Sequence, residues 1–367
     1  MPDGYYASTL RADANRQTAY RSADGGATWS GPSFPFGETG KHHSAPLIVD
    51  GGSGRLFAFE TLRDAVVDGV AREAAYGFSV SDDSGVTWSA PEVIRRADAA
   101  DTGGGGGGGG IWNGVGVIPA TQTAAGTWVI GFHHGRVLRG GLAGGGARRW
   151  TVQEFPRAAH PGFLAVIDHL DELGVLATGG AALYAQFRTN AGFLGEMRSA
   201  DDALTWGAPA LTPLAQPDAP PMLFRLSDGR LFALHHNRAV RRTVAEPVHS
   251  GWLTMPAPTG PEIAERRAHP LSLNDWASRA ELWFSLSSDD GATWGEPRLL
   301  LANALDETLR PANPNYQCSY ADVTAVDGVL HVFVPHRWQK VVHVRIAEAR
   351  LGECLTRAEL RAAAGAG

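Results

Sequence analysis

The residues able to do chemistry in this 367-residue chain are histidines, arginines, one tyrosine and a few carboxylates, and they gather at the ends of apolar runs. Ahead of such runs stand His42, His43 and Ser44; Trp112 and Asn113; His160; Pro220 and Pro221; and Gln317, Ser319 and Tyr320. Behind them stand Glu60 and Arg63; His133 and His134; Arg188; His235, His236 and Arg238; and His336 and Arg337. Histidine moves protons near neutral pH. Arginine grips a carboxylate through two parallel hydrogen bonds. A tyrosine hydroxyl becomes a nucleophile once a base assists it. Together these types suit an acidic substrate. The paired histidines at 42/43, 133/134 and 235/236 could also offer neutral imidazoles to Zn²⁺. Neighbours on a strand point to opposite faces, so each pair would supply one ligand. No H-E-x-x-H or C-x-x-C spacing accompanies them, so no cofactor is expected and zinc is kept as the alternative.

The elements that must position these residues are set by repeats. Ser22 to Trp29 reads S-x-D-x-G-x-T-W, and the pattern returns at Ser81 to Trp88 and at Ser287 to Trp294. A fourth copy, Ser199 to Trp206, has Ala203 in the glycine place. Ser, Asp and Thr bond local backbone in such a turn, Gly allows positive φ, and Trp covers it. Interleaved with these are turn glycines followed by strand-like runs, at Gly4, Gly54, Gly126, Gly180, Gly229 and Gly328. Each unit reads as strand, tight turn, strand, then a third strand entering the Asp-containing turn. Six such units predict an all-β chain: a six-bladed β-propeller of four-stranded antiparallel blades. Residues 1–350 would form this single domain, closed by its N- and C-terminal strands, with 351–367 a short helix or tail. Residues 99–110 hold eight consecutive glycines and predict a loop. Residues 238–278 predict an insertion, either a lid, a surface loop or a hidden seventh blade.

Composition excludes several classes. The net charge of −6 argues against a nucleic-acid platform. No apolar run reaches membrane-spanning length. Cys318 and Cys354 make no disulfide framework. The opening MPDGYYASTL lacks a charged region followed by an apolar stretch. The expectation is therefore a cytoplasmic protein, or a secreted or periplasmic one if the sequence is a mature form.

The S-x-D-x-G-x-T-W turns resemble the Asp boxes, or BNR repeats, of the sialidase (neuraminidase) superfamily, over roughly residues 4–347. Asp boxes sit on blade peripheries and imply the fold; the chemistry lies at the channel. The resemblance implies a Tyr nucleophile at the head of the last inner strand, where Tyr320 stands. It implies a Glu-x-Arg strand followed by an Asp general acid, matched by Glu60, Arg63 and Asp64 or Asp68 in RLFAFETLRDAVVDG. The stretch that matches the Arg-Ile-Pro tripeptide, whose Arg binds the substrate carboxylate, is His43-Ser44-Ala45-Pro46, so that Arg is absent. The Glu that activates the Tyr is sought at Pro220 or Pro221, where none exists. Arg238 could stand in for a second clamp arginine, and Arg267 is the nearest candidate for the other.

The expectation is a sialidase-like, glycan-active enzyme: a glycoside hydrolase on an acidic sugar, though not a standard sialidase. Tyr320 would be the nucleophile, Asp64 or Asp68 the acid and His236 or His336 a base, with His43 a further catalytic candidate. Arg63, Glu60, Trp112, Asn113, His134, His160, Arg188, Arg238, Arg267, His336 and Arg337 would bind the carbohydrate. One alternative is a polysaccharide lyase, in which His or Tyr removes the proton α to a uronate carboxylate and supplies a proton to the leaving oxygen, while Arg neutralises the carboxylate. The other is a carbohydrate-binding propeller without turnover. No oligomeric state is implied.

Overall fold

The structure is a computed structural model, and it describes residues 18–37, 47–50, 53–67, 70–94, 120–131, 135–141, 150–154, 171–189, 191–217, 219–238, 279–302, 318–336 and 340–365. For 60–67, 70–76, 93–94, 150, 152, 154, 171, 336, 340 and 365 only the backbone is described. The predicted loop 99–110 and all of the insertion beyond Arg238 lie outside these residues.

The strands fall into six antiparallel sheets, taken in chain order. The first pairs β1 (Ala19–Arg21) with β2 (Ser30–Ser33). The second orders β3 (Leu47–Val49), β4 (Leu56–Val67), β5 (Val70–Ser81) and β6 (Glu92–Ile94). The third holds β7 (Thr121–Gln122), β8 (Trp128–Gly131), β9 (Arg136–Gly140) and β10 (Trp150–Glu154). The fourth holds β11 (Asp171–Gly179), β12 (Ala182–Arg188), β13 (Phe193–Ser199) and β14 (Ala210–Ala215). The fifth holds β15 (Met222–Arg225), β16 (Leu231–His235), β17 (Glu281–Ser287) and β18 (Arg298–Ala302). The sixth has β19 (Asp322–Val326), β20 (Val329–His336) and β21 (Lys340–Ala347). A 3₁₀ segment, Glu348–Glu353, and a helix α1, Arg357–Gly365, follow.

Central strands of the third, fourth and fifth sheets are apolar on both faces because these sheets are packed on both sides. In β12, Leu183, Ala185 and Phe187 enter a core with Val129 and Val137 of the third sheet, while Tyr184 enters another with Leu223 and Leu231 of the fifth. In β16, Phe232 and Leu234 turn instead toward Val323 and Val332 of the sixth. Phe57, Phe59 and Phe78 of the second sheet pack on Ile130 and Leu138 of the third. Each large side chain buried in this way contributes about 2 kcal/mol. The first sheet touches both ends of the series. Ser33 donates a hydrogen bond to the Gly85 carbonyl at 2.5 Å, and the Trp29 ring stands edge-on to Phe333 at 5.8 Å.

The four predicted turns share one geometry. In the first, the Ser22 hydroxyl donates to Asp24 at 2.8 Å, and the Thr28 hydroxyl and amide donate to the same carboxylate at 2.6 and 2.8 Å. The same bonds recur around Asp83, Asp201 and Asp289. These donors hold Asp24, Asp83 and Asp289 at about 2, below the usual carboxylate range. The glycine place needs a left-handed backbone: φ is +83° at Gly291 and +64° at Ala203, which adopts it despite its Cβ. At Gly291 a Cβ would also lie 2.7 Å from the buried Tyr184 ring.

Candidate functional site

Tyr320 precedes β19, at the head of the first strand of the sixth sheet. Its φ is +63°, a conformation that costs a Cβ-bearing residue about 1–2 kcal/mol. The side chain reaches the fourth sheet, where its hydroxyl donates to Glu172 Oε1 at 2.7 Å. The other carboxylate oxygen, Oε2, accepts from Arg188 Nη1 at 2.9 Å. Arg188 Nη1 also stands 3.5 Å from the Tyr320 oxygen. Glu172 is the second residue of β11, with φ +46°. The register slips between Asp171 and Gly174, since Asp171 pairs with Arg188 but Gly174 with Gln186. This bulge re-aims Glu172 toward the end of β12, where Arg188 is the last residue.

Glu172 and Arg188 are buried, at 2% and 4% exposure. Burial pushes the Tyr320 phenol well above its ordinary range, and the Glu172 charge pushes it further. Arg188 and Arg279 act in the opposite direction. Tyr320 is thus protonated at rest and donates to the carboxylate. Arg279, buried just before β17, is tied to the tyrosine turn through its carbonyl, which accepts from the Cys318 amide at 2.9 Å.

Sequence reasoning missed Glu172 and Arg279. The activating Glu was sought at Pro220 and Pro221, which precede β15, one sheet too late. His160 was placed at the head of the fourth sheet's first strand, but β11 begins at Asp171. The signal was a 16-residue interval from Glu172 to Arg188, a strand head to the following strand's end. Arg279 heads a third strand, and the reading had surveyed only first and second strands.

Other predicted residues are placed differently. His236 is 1% exposed and has both ring nitrogens engaged. Nδ1 is 2.7 Å from the Glu281 carbonyl and Nε2 is 2.8 Å from the Ser319 hydroxyl. Burial, with Arg279 and His235 nearby, pushes its pKa down to about 3. A ring so buried, with both nitrogens already hydrogen-bonded, has no free nitrogen facing a substrate. His235 is equally buried, between the Ala215 carbonyl and Ser285, at about 4. Arg238 pairs with buried Glu281 at 3.2 Å. Glu60, Arg63 and Asp64 lie on β4 and His336 ends β20, described by backbone alone. His43, Asp68, Trp112, Asn113, His134, His160, Arg267 and Arg337 lie outside the described residues. Among the described residues, no three His, Cys, Asp or Glu side chains stand together as metal ligands. None of the described helices is long and apolar enough to cross a membrane.

The chain was compared with known proteins against this geometry. Residues 34–332 match the BNR repeat-like domain. No curated protein matches the sequence. The NanB sialidase of Streptococcus pneumoniae superposes with TM-score 0.56 at 11% identity, over 94% of this chain and 66% of that one. The intramolecular trans-sialidase of Ruminococcus gnavus gives 0.55 at 13% identity, over 92% and 91%. A protein of unknown function from Dyadobacter fermentans gives 0.50 at 13% identity, over 91% and 83%. This chain thus spans just under two thirds of the Streptococcus chain. At such identities the likeness is one of fold. The match over residues 34–332 shows that the chain belongs to the BNR repeat-like domain family, and its fold is like that of the sialidases.

Proposed function

We propose that the protein is a glycan-active enzyme, a glycoside hydrolase on an acidic sugar, with Tyr320 as nucleophile and Glu172 as its base. The observation that carries this reading is one carboxylate shared by a tyrosine hydroxyl at 2.7 Å and a guanidinium at 2.9 Å. That is a nucleophile, its base and the base's orienter in contact. The Tyr320 oxygen would bond to the anomeric carbon as the glycosidic C–O bond breaks, and its proton would pass to Glu172. The leaving oxygen would take a proton from Asp64 or Asp68. Water would then cleave the sugar–tyrosine bond, its hydroxyl going to the anomeric carbon and its proton to the Asp64 or Asp68 carboxylate, while Glu172 would return its proton to the phenolate. A phenol suits a sugar that carries its own carboxylate, because a bare carboxylate nucleophile would repel it. Arg188 and Arg279 supply the positive field for that substrate. The six sheets would close as a six-bladed propeller, supported by the contacts of the first sheet with both the second and the sixth. That closure would set the fourth and sixth sheets on one channel.

The test is turnover of aryl glycosides of sialic and uronic acids by the wild type, Tyr320→Phe and Glu172→Gln. Release of a saturated sugar by the wild type, lost at least 10²-fold in both variants, supports the reading. An unsaturated, ultraviolet-absorbing product would transfer it to the lyase class. Equal activity in Tyr320→Phe would remove the tyrosine from the chemistry.

A further inference from the structure

We infer that His236, with Ser319 and Gln216, is a positioning unit that holds Tyr320 in its left-handed conformation on Glu172. This rests on the reading of Tyr320 as the reacting group. A residue with φ +63° persists only where its surroundings fix it. The residue before it is fixed on all sides. Ser319 is 2% exposed, and its hydroxyl lies 2.8 Å from His236 Nε2. The Glu281 carbonyl, 2.7 Å from Nδ1, can only accept, so Nδ1 carries the hydrogen. Nε2 is then bare, and the Ser319 hydroxyl must donate to it. The His236 amide in turn donates to Gln216 Oε1 at 2.7 Å. The Gln216 amide nitrogen donates to the Ala219 and Pro220 carbonyls at 3.1 and 3.0 Å. Cys318, one residue further back, donates its amide to the Arg279 carbonyl. The tyrosine turn is therefore clamped by the link between β14 and β15, the end of β16 and the start of β17. Each bond is directional and fully buried, so the chain has one tautomer and one arrangement.

The same three groups, hydroxyl, imidazole and carbonyl, stand in the order of a nucleophile, a base and its orienter. They do not act so. Ser319 and His236 are only 2% and 1% exposed, and both imidazole nitrogens are already engaged. What an uncharged, doubly bonded imidazole can supply is geometry.

The experiment compares His236→Leu, which can make neither bond, with His236→Gln, which offers a donor and an acceptor, and adds Ser319→Ala and Tyr320→Phe. Misplacing a reacting group by about 1 Å can cost about 10²-fold. His236→Leu is expected to lower kcat about 30- to 100-fold, to leave KM within about threefold, and to leave the pH profile unmoved. His236→Gln is expected to recover most of kcat, and Ser319→Ala to resemble His236→Leu more mildly. A shifted pH limb, a loss confined to KM, or a folded His236→Leu with normal kcat overturns the inference. The crystal structure of Ser319→Ala gives an answer that needs no activity: Tyr320 is expected to leave its positive φ and the Glu172 bond. Retention of both overturns the inference. Full activity in Tyr320→Phe would instead fail the reading of the tyrosine, and the structural arm would still decide the clamp.

Discussion

Arg188→Met keeps much of the side-chain volume and deletes one buried charge. Glu172, 2% exposed, then loses the cation 2.9 Å away. Breaking a buried ion pair from one side costs about 3–5 kcal/mol, because the remaining charge stays desolvated and uncompensated. Unfolding entropy of about 2.1 cal/mol/K per residue, over 367 residues, is about 0.8 kcal/mol/K, so Tm should fall by roughly 4–6 °C. Glu172→Gln strands the arginine instead and should cost a similar amount. The double variant strands neither, and its loss is expected to be about 2 kcal/mol or less. The coupling is the diagnostic quantity: the two single losses should greatly exceed the double. Denaturation of the three variants at pH 7 measures it, by calorimetry or by urea. The phenol responds too, since Arg188 opposes the rise that burial imposes on Tyr320. Without it the hydroxyl is harder to deprotonate, and turnover should fall in every variant, the double included. Stability and activity thus separate in the double variant, which is nearly as stable as the wild type but inactive. Additive single losses, or a Tm fall below about 1 °C in Arg188→Met, would refute a buried, mutually dependent pair.

Two further expectations concern the scaffold. Gly291→Ala should cost about 2–4 kcal/mol, combining left-handed strain with overpacking against Tyr184. Gly229→Ala, with φ +90° and open space around it, should cost about 1–2 kcal/mol; equal melting temperatures would show that the Tyr184 contact is absent. His331 and His343 share a hydrogen bond of 2.9 Å beside Trp29, which joins the sixth sheet to the first. Burial, His343 and Arg345 all lower the His331 pKa. A depressed histidine contributes stability that is complete above its unfolded value of about 6.5 and is lost as pH falls through the folded value. His331→Phe should therefore flatten the acid limb of a Tm–pH profile, and an unchanged limb would place the acid sensitivity elsewhere.

The periphery of this fold was legible because its turns are local. Within Ser287 to Trp294, every bond that makes the turn joins residues at most four apart, so side-chain types spell the geometry directly. The doubly packed strands were legible as well, since LYAQF and LFAL read as short apolar runs between turn residues. The Ala203 copy shows how robust this is: the turn forms in full although its left-handed position is filled by alanine.

The site was only half legible, and the reason is physical. Tyr320 and Arg188 sit at an ordinary strand head and strand end, and reading strand boundaries finds both. Glu172 sits on a bulge with positive φ, in a strand that starts eleven residues later than His160. A bulge leaves no mark in apolar alternation, because it adds a residue without adding a turn signal. The histidines failed in the opposite way. Residue type suggested acid–base work at His236, but burial decides ionisation, and burial depends on sheets that are far apart in sequence. His236 is desolvated by packing between Gln216, Glu281 and Ser319, three segments spanning about a hundred residues. Local rules are thus broken at the same few positions where distant sheets meet: left-handed Tyr320, left-handed Glu172 and the slipped register before Gly174. Strain of that kind survives only if the surroundings overdetermine it. The buried hydrogen-bond chain behind Ser319 and the Arg188 pair behind Glu172 are those surroundings, one for each partner of the 2.7 Å bond.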